Sequence, residues 1–266
     1  MSFLFLLSQC RGTYRLLPPK VESSLELLST IVTEGDVVDI CVDGEKVLLL
    51  EGNGARVVVL NSEFAIAETI PLEKRLVSAR GITADRYYIY LYDDNTLYRL
   101  AKDKLNMSVW LNNISVAGLA SYAPGEMLVS DRRRRIVWFK TLFGESRSFL
   151  EPVEVGQPGE MAVFPEGIFA VLAAPNRLLK VNRAGIVVSS ILVPEGVDLL
   201  TADKKGRALV ARRGEKVIWL VEDGSAKGFE LTEATDIRAI ATLEDKLIVL
   251  DGANKILIFF LPHRSS

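Results

Sequence analysis

The sequence predicts an all-β fold: a six-bladed β-propeller, four antiparallel strands per blade, with the last blade closed by an N-terminal strand. Three observations predict it. A basic residue followed by an apolar run recurs at near-constant spacing. A second apolar segment precedes each of these runs by 14 to 16 residues. Turn-forming dipeptides separate the runs, while the ten prolines and nineteen glycines are scattered singly along the chain.

The recurring runs are Arg56–Leu60, Thr96–Leu100, Arg135–Phe139, Arg177–Val181, Lys216–Leu220 and Lys255–Phe259. Their first residues are separated by 40, 39, 42, 39 and 39 positions, and only Thr96 lacks the basic character. Upstream, Ile40, Ile82, Leu119, Met161, Leu200 and Ile240 each sit in a short apolar segment. A third run lies between the two features, as in Val47–Leu50, Tyr87–Tyr90 and Leu247–Val249. A fourth and weaker run often follows, as in Ala65–Leu72, Met107–Leu111 and Ile186–Val193. Asp43-Gly44, Asp93-Asp94-Asn95, Pro175-Asn176 and Asp251-Gly252 supply the turns.

Four short strands every 39 to 42 residues are the repeat of a propeller blade. One such blade is apolar on both faces and cannot bury them alone. Radial stacking against two neighbours buries both, and strands sandwiched in this way read as continuous apolar runs. The chain ends near Pro262 without an outer strand for the sixth blade. Ser24–Val32 has strand character and is expected to fill that place. Residues 21–266 are then a single propeller domain, and no internal stretch reads as a linker.

Composition narrows the chemistry. The chain has 266 residues, 49% hydrophobic and 25% charged, with a formal charge of −2. It has one histidine, His263, and two cysteines, Cys10 and Cys41. Sites that need two or three imidazoles are excluded, as is a zinc ribbon. A Ser-His-Asp triad would depend on the fourth residue from the end of the sequence. No glycine-rich phosphate loop leads into a helix. No catalytic residue and no metal ligand set is assigned.

Asp131-Arg-Arg-Arg-Arg135-Ile-Val-Trp-Phe and Asp251-Gly-Ala-Asn-Lys255-Ile-Leu-Ile-Phe place an acid, a polar turn and a basic residue before an apolar strand. Glu51-Gly-Asn-Gly-Ala-Arg56 is the same with one extra residue. This pattern resembles the NHL repeat, and TolB-like propellers are similar at this level. Blades four and five depart from it, with Ala173-Ala174 and Arg212-Arg213 where the acid is expected. The resemblance implies a six-bladed propeller that is most often a binding or scaffold module. Some relatives are enzymes. Lactonase-like members use carboxylates around a divalent ion, and some NHL propellers bind single-stranded RNA.

Propellers bind at the central channel mouth or across one face. The residues just before the inner aliphatics should surround that mouth, which places Asp39, Arg80, Glu160, Asp198 and Arg238 there as candidate ligand-binding residues. Such charges either hold a small ligand, peptide or cation, or pair with one another around a solvated channel. Asp39, Glu160 and Asp198 are the candidate oxygen ligands for calcium, the one cofactor left open. Arg132, Arg133 and Arg134, with Arg212 and Arg213 in the matching turn of blade five, form a basic face. Nucleic acid is disfavoured as its partner. Net charge is slightly negative, and Trp138 and Trp219 fall inside strands where packing explains them. Tyr87, Tyr88, Tyr90 and Tyr92 likewise read as inter-blade packing.

Residues 1–20 fall outside the repeat. Phe3-Leu-Phe-Leu-Leu7-Ser-Gln-Cys10 resembles a bacterial lipoprotein signal, with Cys10 as the lipidation point and Arg11–Lys20 as a tether. The apolar run is shorter than a usual signal core and has no basic residue before it. The alternative is a cytosolic protein with an apolar N-terminal strand. The expectation is a monomeric, non-catalytic binding or scaffold propeller, anchored at the bacterial cell envelope, that recognises a protein or peptide. A divalent-cation-dependent hydrolase or lactonase, and an RNA-binding propeller, are the alternatives.

Overall fold

A computed structural model describes residues 21–151, 155–222 and 224–262. Six sheets are arranged in a ring. Blade one is β3 (Val37–Asp43), β4 (Lys46–Glu51), β5 (Arg56–Leu60) and β6 (Ile66–Pro71). Blade two is β7 (Gly81–Ala84), β8 (Tyr88–Tyr92), β9 (Thr96–Ala101) and β10 (Met107–Asn112). Blade three is β11 (Val116–Ala123), β12 (Glu126–Asp131), β13 (Ile136–Lys140) and β14 (Ser146–Leu150). Blade four is β15 (Pro158–Val163), β16 (Phe169–Ala173), β17 (Arg177–Val181) and β18 (Val187–Leu192). Blade five is β19 (Leu199–Ala202), β20 (Ala208–Ala211), β21 (Val217–Glu222) and β22 (Ser225–Glu230). Blade six takes β23 (Ile237–Leu243), β24 (Lys246–Asp251) and β25 (Lys255–Phe260) from the C-terminal end. Each inner strand packs on the next, and β23 returns to β3.

Closure follows the expected route with one refinement. β2 (Leu27–Val32) is the outer strand of blade six, antiparallel to β25, with Leu27 opposite Phe259 and Val32 opposite Lys255. The segment is not one strand, however. β1 (Val21–Ser24) pairs in parallel with β22 and gives blade five a fifth strand. The break falls at Leu25, which turns inward and is 7% exposed in the core between blades five and six. Burying that leucine outweighs continuing the strand. The N-terminal segment therefore bridges the first and last parts of the chain on two adjacent blades.

The core is six inter-blade cores rather than one. Each draws on two consecutive blades, and each receives one of the periodic aliphatics: Ile40, Ile82, Leu119, Met161, Leu200 or Ile240. All six are buried. This is the physical content of the repeat: one large aliphatic per blade fills the wedge against a neighbour. Second strands are buried on successive residues, as in Val47–Glu51 and Phe169–Ala173, because both faces meet another blade.

The acids of the repeat are structural. Asp131 is fully buried, and its Oδ1 accepts from the backbone N–H groups of Arg133 and Arg134 at 3.0 and 3.2 Å. Asp251 accepts from the N–H groups of Thr235 and Asp236 at 2.7 and 2.6 Å. Glu51 pairs with Arg56 at 2.7 Å. In blade five Asp203 and Arg207, each 1% exposed at the side chain, form a buried pair at 2.6 Å. Arg207 Nη1 also donates to the carbonyl of Pro262 at 2.7 Å, which ties the end of blade six to blade five.

Candidate functional site

The channel mouth is built from two tiers of inner-strand residues. Immediately before the six aliphatics stand Asp39, Gly81, Gly118, Glu160, Leu199 and Ala239. One residue earlier stand Val38, Arg80, Ala117, Gly159, Asp198 and Arg238. Successive residues of a strand point to opposite faces, so the two tiers meet different surroundings. The five predicted mouth residues divide accordingly.

Charges of the earlier tier sit at the exposed rim and are paired. Arg80 Nε meets Asp94 at 2.7 Å, Arg238 meets Asp236 at 2.5 Å, and Asp198 meets Arg213 Nε at 3.3 Å. The backbone N–H of Arg213 also donates to Asp198 Oδ1 at 2.9 Å. Side chains at this rim are half exposed, so each pair is worth about 0–1 kcal/mol.

Asp39 and Glu160 lie deeper. Asp39 Oδ2 accepts from the N–H of Ile82 in blade two at 2.8 Å. Close walls deprive both carboxylates of bulk water although each keeps some surface open to the channel. Burial pushes the Asp39 carboxyl up to about 6, against hydrogen bonds from Ile82 and Ile40 and the charge of Arg213. Burial, reinforced by the Asp39 charge, pushes Glu160 up to about 8. Gly118 lets the inner strand of blade four approach that of blade three closely, because a Cβ there would lie 2.7 Å from the Cα of Glu160.

Tyr92 completes the waist. It faces Gly81 across the β7–β8 ladder, and its ring lies over that glycine. Its phenol is pushed well up by burial, then by the charges of Glu160 and Asp39, with Arg213 and Arg132 opposing. Above the waist opens a cavity of about 640 Å³, lined by Arg80, Arg132, Glu160, Arg177, Asp198 and Arg213 among others. Below it the bore, about 320 Å³, is lined mainly by small and aliphatic inner-strand residues. Tyr92 and Glu160 border both spaces, and Asp39 borders the bore.

No protein-family model matches the sequence, and no curated protein matches it. Solved structures do. Virginiamycin B lyase from Staphylococcus aureus superposes with a TM-score of 0.65 at 16% identity, over 90% of this chain and 89% of that one. A nidogen/laminin complex gives 0.66 at 13% identity, over 77% and 84%. The calcium-binding protein regucalcin from Agrobacterium tumefaciens gives 0.63 at 12% identity, over 92% and 100%. The chain is a six-bladed β-propeller. At these identities the likeness concerns the fold of this propeller and not its ligand.

The predicted basic face and the mouth are the same face of the propeller, and most of the basic run is engaged. Arg133 donates to Asn95 Oδ1 at 3.1 Å, Arg134 pairs with Asp131 at 3.2 Å, and Arg212 pairs with Glu215 at 3.1 Å. Arg213 turns to Asp198 and the channel. Arg132 lines the mouth, and among the described residues it has no carboxylate partner. Arg177 is in the same position, and sequence reasoning missed it. Its signal was the departure of blade four from the repeat: where Glu51 neutralises Arg56, the corresponding region of blade four offers Ala173 and Ala174. Tyr92 packs in the core between blades two and three, as expected, and its place at the channel was the part not foreseen. Its signal was a glycine in the inner strand opposite a tyrosine.

Among the described residues no three His, Cys, Asp or Glu side chains gather as a metal site. Asp198, one of three candidate calcium ligands, is committed to Arg213. Cys41 lines the bore, and burial, then the charges of Asp39 and Asp43, raise its thiol well above the ordinary value. Cys10 and His263 lie outside the described residues.

Proposed function

We propose that this propeller is a non-catalytic binding module that receives a peptide segment of a protein partner at the channel mouth. The observation that carries the reading is the 640 Å³ cavity bordered by two guanidiniums, Arg132 and Arg177, without carboxylate partners among the described residues. Arginine forks suit carboxylate groups of a peptide, and the aliphatic stems add apolar contact. Similar structures support the reading in a general way. One of them is a nidogen/laminin complex. The lyase was solved with quinupristin in a form made catalytically inactive by a histidine-to-alanine change, and the only histidine of this chain is His263. Panning a displayed random-peptide library against the full chain tests the reading. Enriched peptides should carry acidic residues and should bind Arg132→Ala/Arg177→Ala at least about tenfold more weakly, as expected when a charge-assisted bond is lost. No enrichment, or enrichment indifferent to both substitutions, would overturn it.

Anchoring at the envelope through a lipid on Cys10 remains part of the proposal. Metabolic labelling with a fatty-acid analogue, lost in Cys10→Ala, is its test.

A further inference from the structure

The mouth occupies one face of the ring, and the strand order fixes which turns lie on the other. Inner strands begin at the mouth, and the turns between second and third strands border its cavity through Asp93, Arg132, Asn176 and Arg213. In an antiparallel blade the turns after the first and third strands then lie on the far face. Three of those turns, in neighbouring blades, carry exposed apolar residues. Tyr87 follows β7 and is 50% exposed, Leu105 follows β9 and is 38% exposed, and Phe143 follows β13 and is 93% exposed.

The three turns form one region. The backbone N–H of Lys102 donates to the carbonyl of Tyr87 at 3.0 Å, which joins the two turns of blade two. Arg99 Nη1 of β9 donates to the carbonyl of Leu142 at 3.3 Å, which ties the blade-three turn to blade two. In that turn the N–H of Gly144 donates to the carbonyl of Thr141 at 3.1 Å, so Leu142 and Phe143 are its central residues. Leu142 packs at Gly125, where a Cβ would lie 3.2 Å from its side chain, while Phe143 stands in solvent. A phenylalanine has no local role at such a tip, where Gly, Asn or Asp is usual. Single exposed apolar residues are ordinary on a surface, but three on joined turns of one face are a grouping.

We propose that this far face lies against a lipid bilayer, with Tyr87, Leu105 and Phe143 set into its interfacial layer. Separate turn tips suit a flat, deformable surface, which takes up aromatic and aliphatic side chains one by one. The exposed charges of these turns balance, Arg86 and Lys104 against Asp103 and Glu145. Binding is then apolar and needs no anionic lipid. The entry of the chain into the ring says what lies on this side. β1 runs parallel to β22, from the far face toward the mouth, so Val21 is its far-face end. Cys10 precedes Val21 by eleven residues, within about 40 Å at full extension. The proposal rests on the lipid anchor on Cys10 and deepens it: the anchored propeller would lay its far face on the membrane and hold its mouth away from it, open to a partner.

The test is flotation of the full chain with phosphatidylcholine vesicles, with Cys10→Ala in every sample so that no lipid on the chain contributes. Residues 3–7 are common to all samples, so the comparison reads the turns. Tyr87→Ser/Phe143→Ser should weaken vesicle partition at least about tenfold, the size expected when two apolar side chains no longer leave water. Val77→Ser should leave it unchanged, because Val77 is 94% exposed but lies between β6 and β7 on the mouth face. Added salt should also leave it unchanged. No flotation, flotation indifferent to the double substitution, or equal weakening by Val77→Ser would overturn the proposal. Self-association that the double substitution abolishes, without flotation, would assign the tips to a protein contact and overturn it as well. Should the double variant melt lower than the unsubstituted chain, Phe143→Ser alone decides. Turn-dependent flotation without any fatty-acid label on Cys10 supports the face and removes only the anchor. A label on Cys10 with flotation indifferent to the turns removes only the face.

Discussion

Gly81 lies directly beneath Tyr92: a Cβ at position 81 would sit 2.3 Å from both Cζ and the hydroxyl oxygen of the tyrosine. No van der Waals contact is that short. The backbone at Gly81 is not left-handed, so the glycine is needed for space and not for conformation. Gly81→Ala should therefore destabilise the fold by about 1–3 kcal/mol, the usual cost of overpacking. Tyr92→Ala in the same chain should recover part of that loss. Non-additivity in a double-mutant cycle of melting data is the check. Additive effects would mean that the two residues do not share one space.

Asp39 and Glu160 predict an unusual pH profile. Both carboxyls are raised in the folded state, to about 6 and about 8. The folded chain thus holds more protons than the unfolded chain between the ordinary carboxylate range and those values. Stability falls as pH rises through that window. The melting temperature should be higher near pH 5 than near pH 8.5, once other titrations are matched. Glu160→Gln should flatten the slope and gain about 1–2 kcal/mol at pH 8.5, less than the full shift because channel water screens the charge. Thermal melts across that range decide it. A steeper profile in the glutamine variant would contradict the assignment.

Closure predicts two different truncation effects. A chain beginning at Leu25 loses β1 and the parallel extension of blade five, but keeps β2 and the buried leucine. A chain beginning at Glu34 loses the outer strand of blade six and leaves β25 as a bare edge. The first should lower the melting temperature by a few degrees. The second should lower it by more than about 10 °C or yield no folded protein. Equal melting of the two would show that β2 does not close the ring.

The Arg207–Asp203 pair predicts a further stability effect. Arg207→Ala leaves the buried Asp203 carboxylate without its counter-charge, held only by the backbone N–H groups of residues 205 and 207, and frees the carbonyl of Pro262. The expected cost is about 3–5 kcal/mol, as for other broken buried pairs. Adding Asp203→Ala should cost less than the sum of the single changes. Denaturant unfolding of the three variants measures this.

The sequence carried the ring almost entirely, because each blade repeats the same physical demand. One aliphatic such as Ile40 or Met161 must fill each inter-blade wedge, and in blades three and six an acid, Asp131 or Asp251, satisfies a buried turn. Repetition made those demands visible without an alignment. Closure by Leu27–Val32 was also legible, since blade six lacks a strand. The division of Ser24–Val32 at Leu25 was not, because it depends on a cavity between blades that only packing creates. The site was legible in its membership and not in its arrangement. Asp39, Arg80, Glu160, Asp198 and Arg238 were gathered as one group, yet a one-residue offset sends Asp39 and Glu160 into the waist and the others to paired positions at the rim. Tyr92 read as packing because it shares a strand with Tyr88 and Tyr90, and it does pack with them, while its contact with the channel depends on Gly81 opposite. Arg177 was hidden because an absent partner, unlike a present motif, leaves no residue to notice.

In the proposed function the mouth of this propeller takes a peptide through Arg132 and Arg177. Calorimetric titration of one library-selected peptide against the unsubstituted chain and against Arg132→Ala/Arg177→Ala tests it most directly, at two salt concentrations. One saturable site is expected, weakened at least about tenfold by the double substitution, with a salt dependence that the substitution also reduces. Unchanged affinity and unchanged salt dependence in the double variant would contradict it.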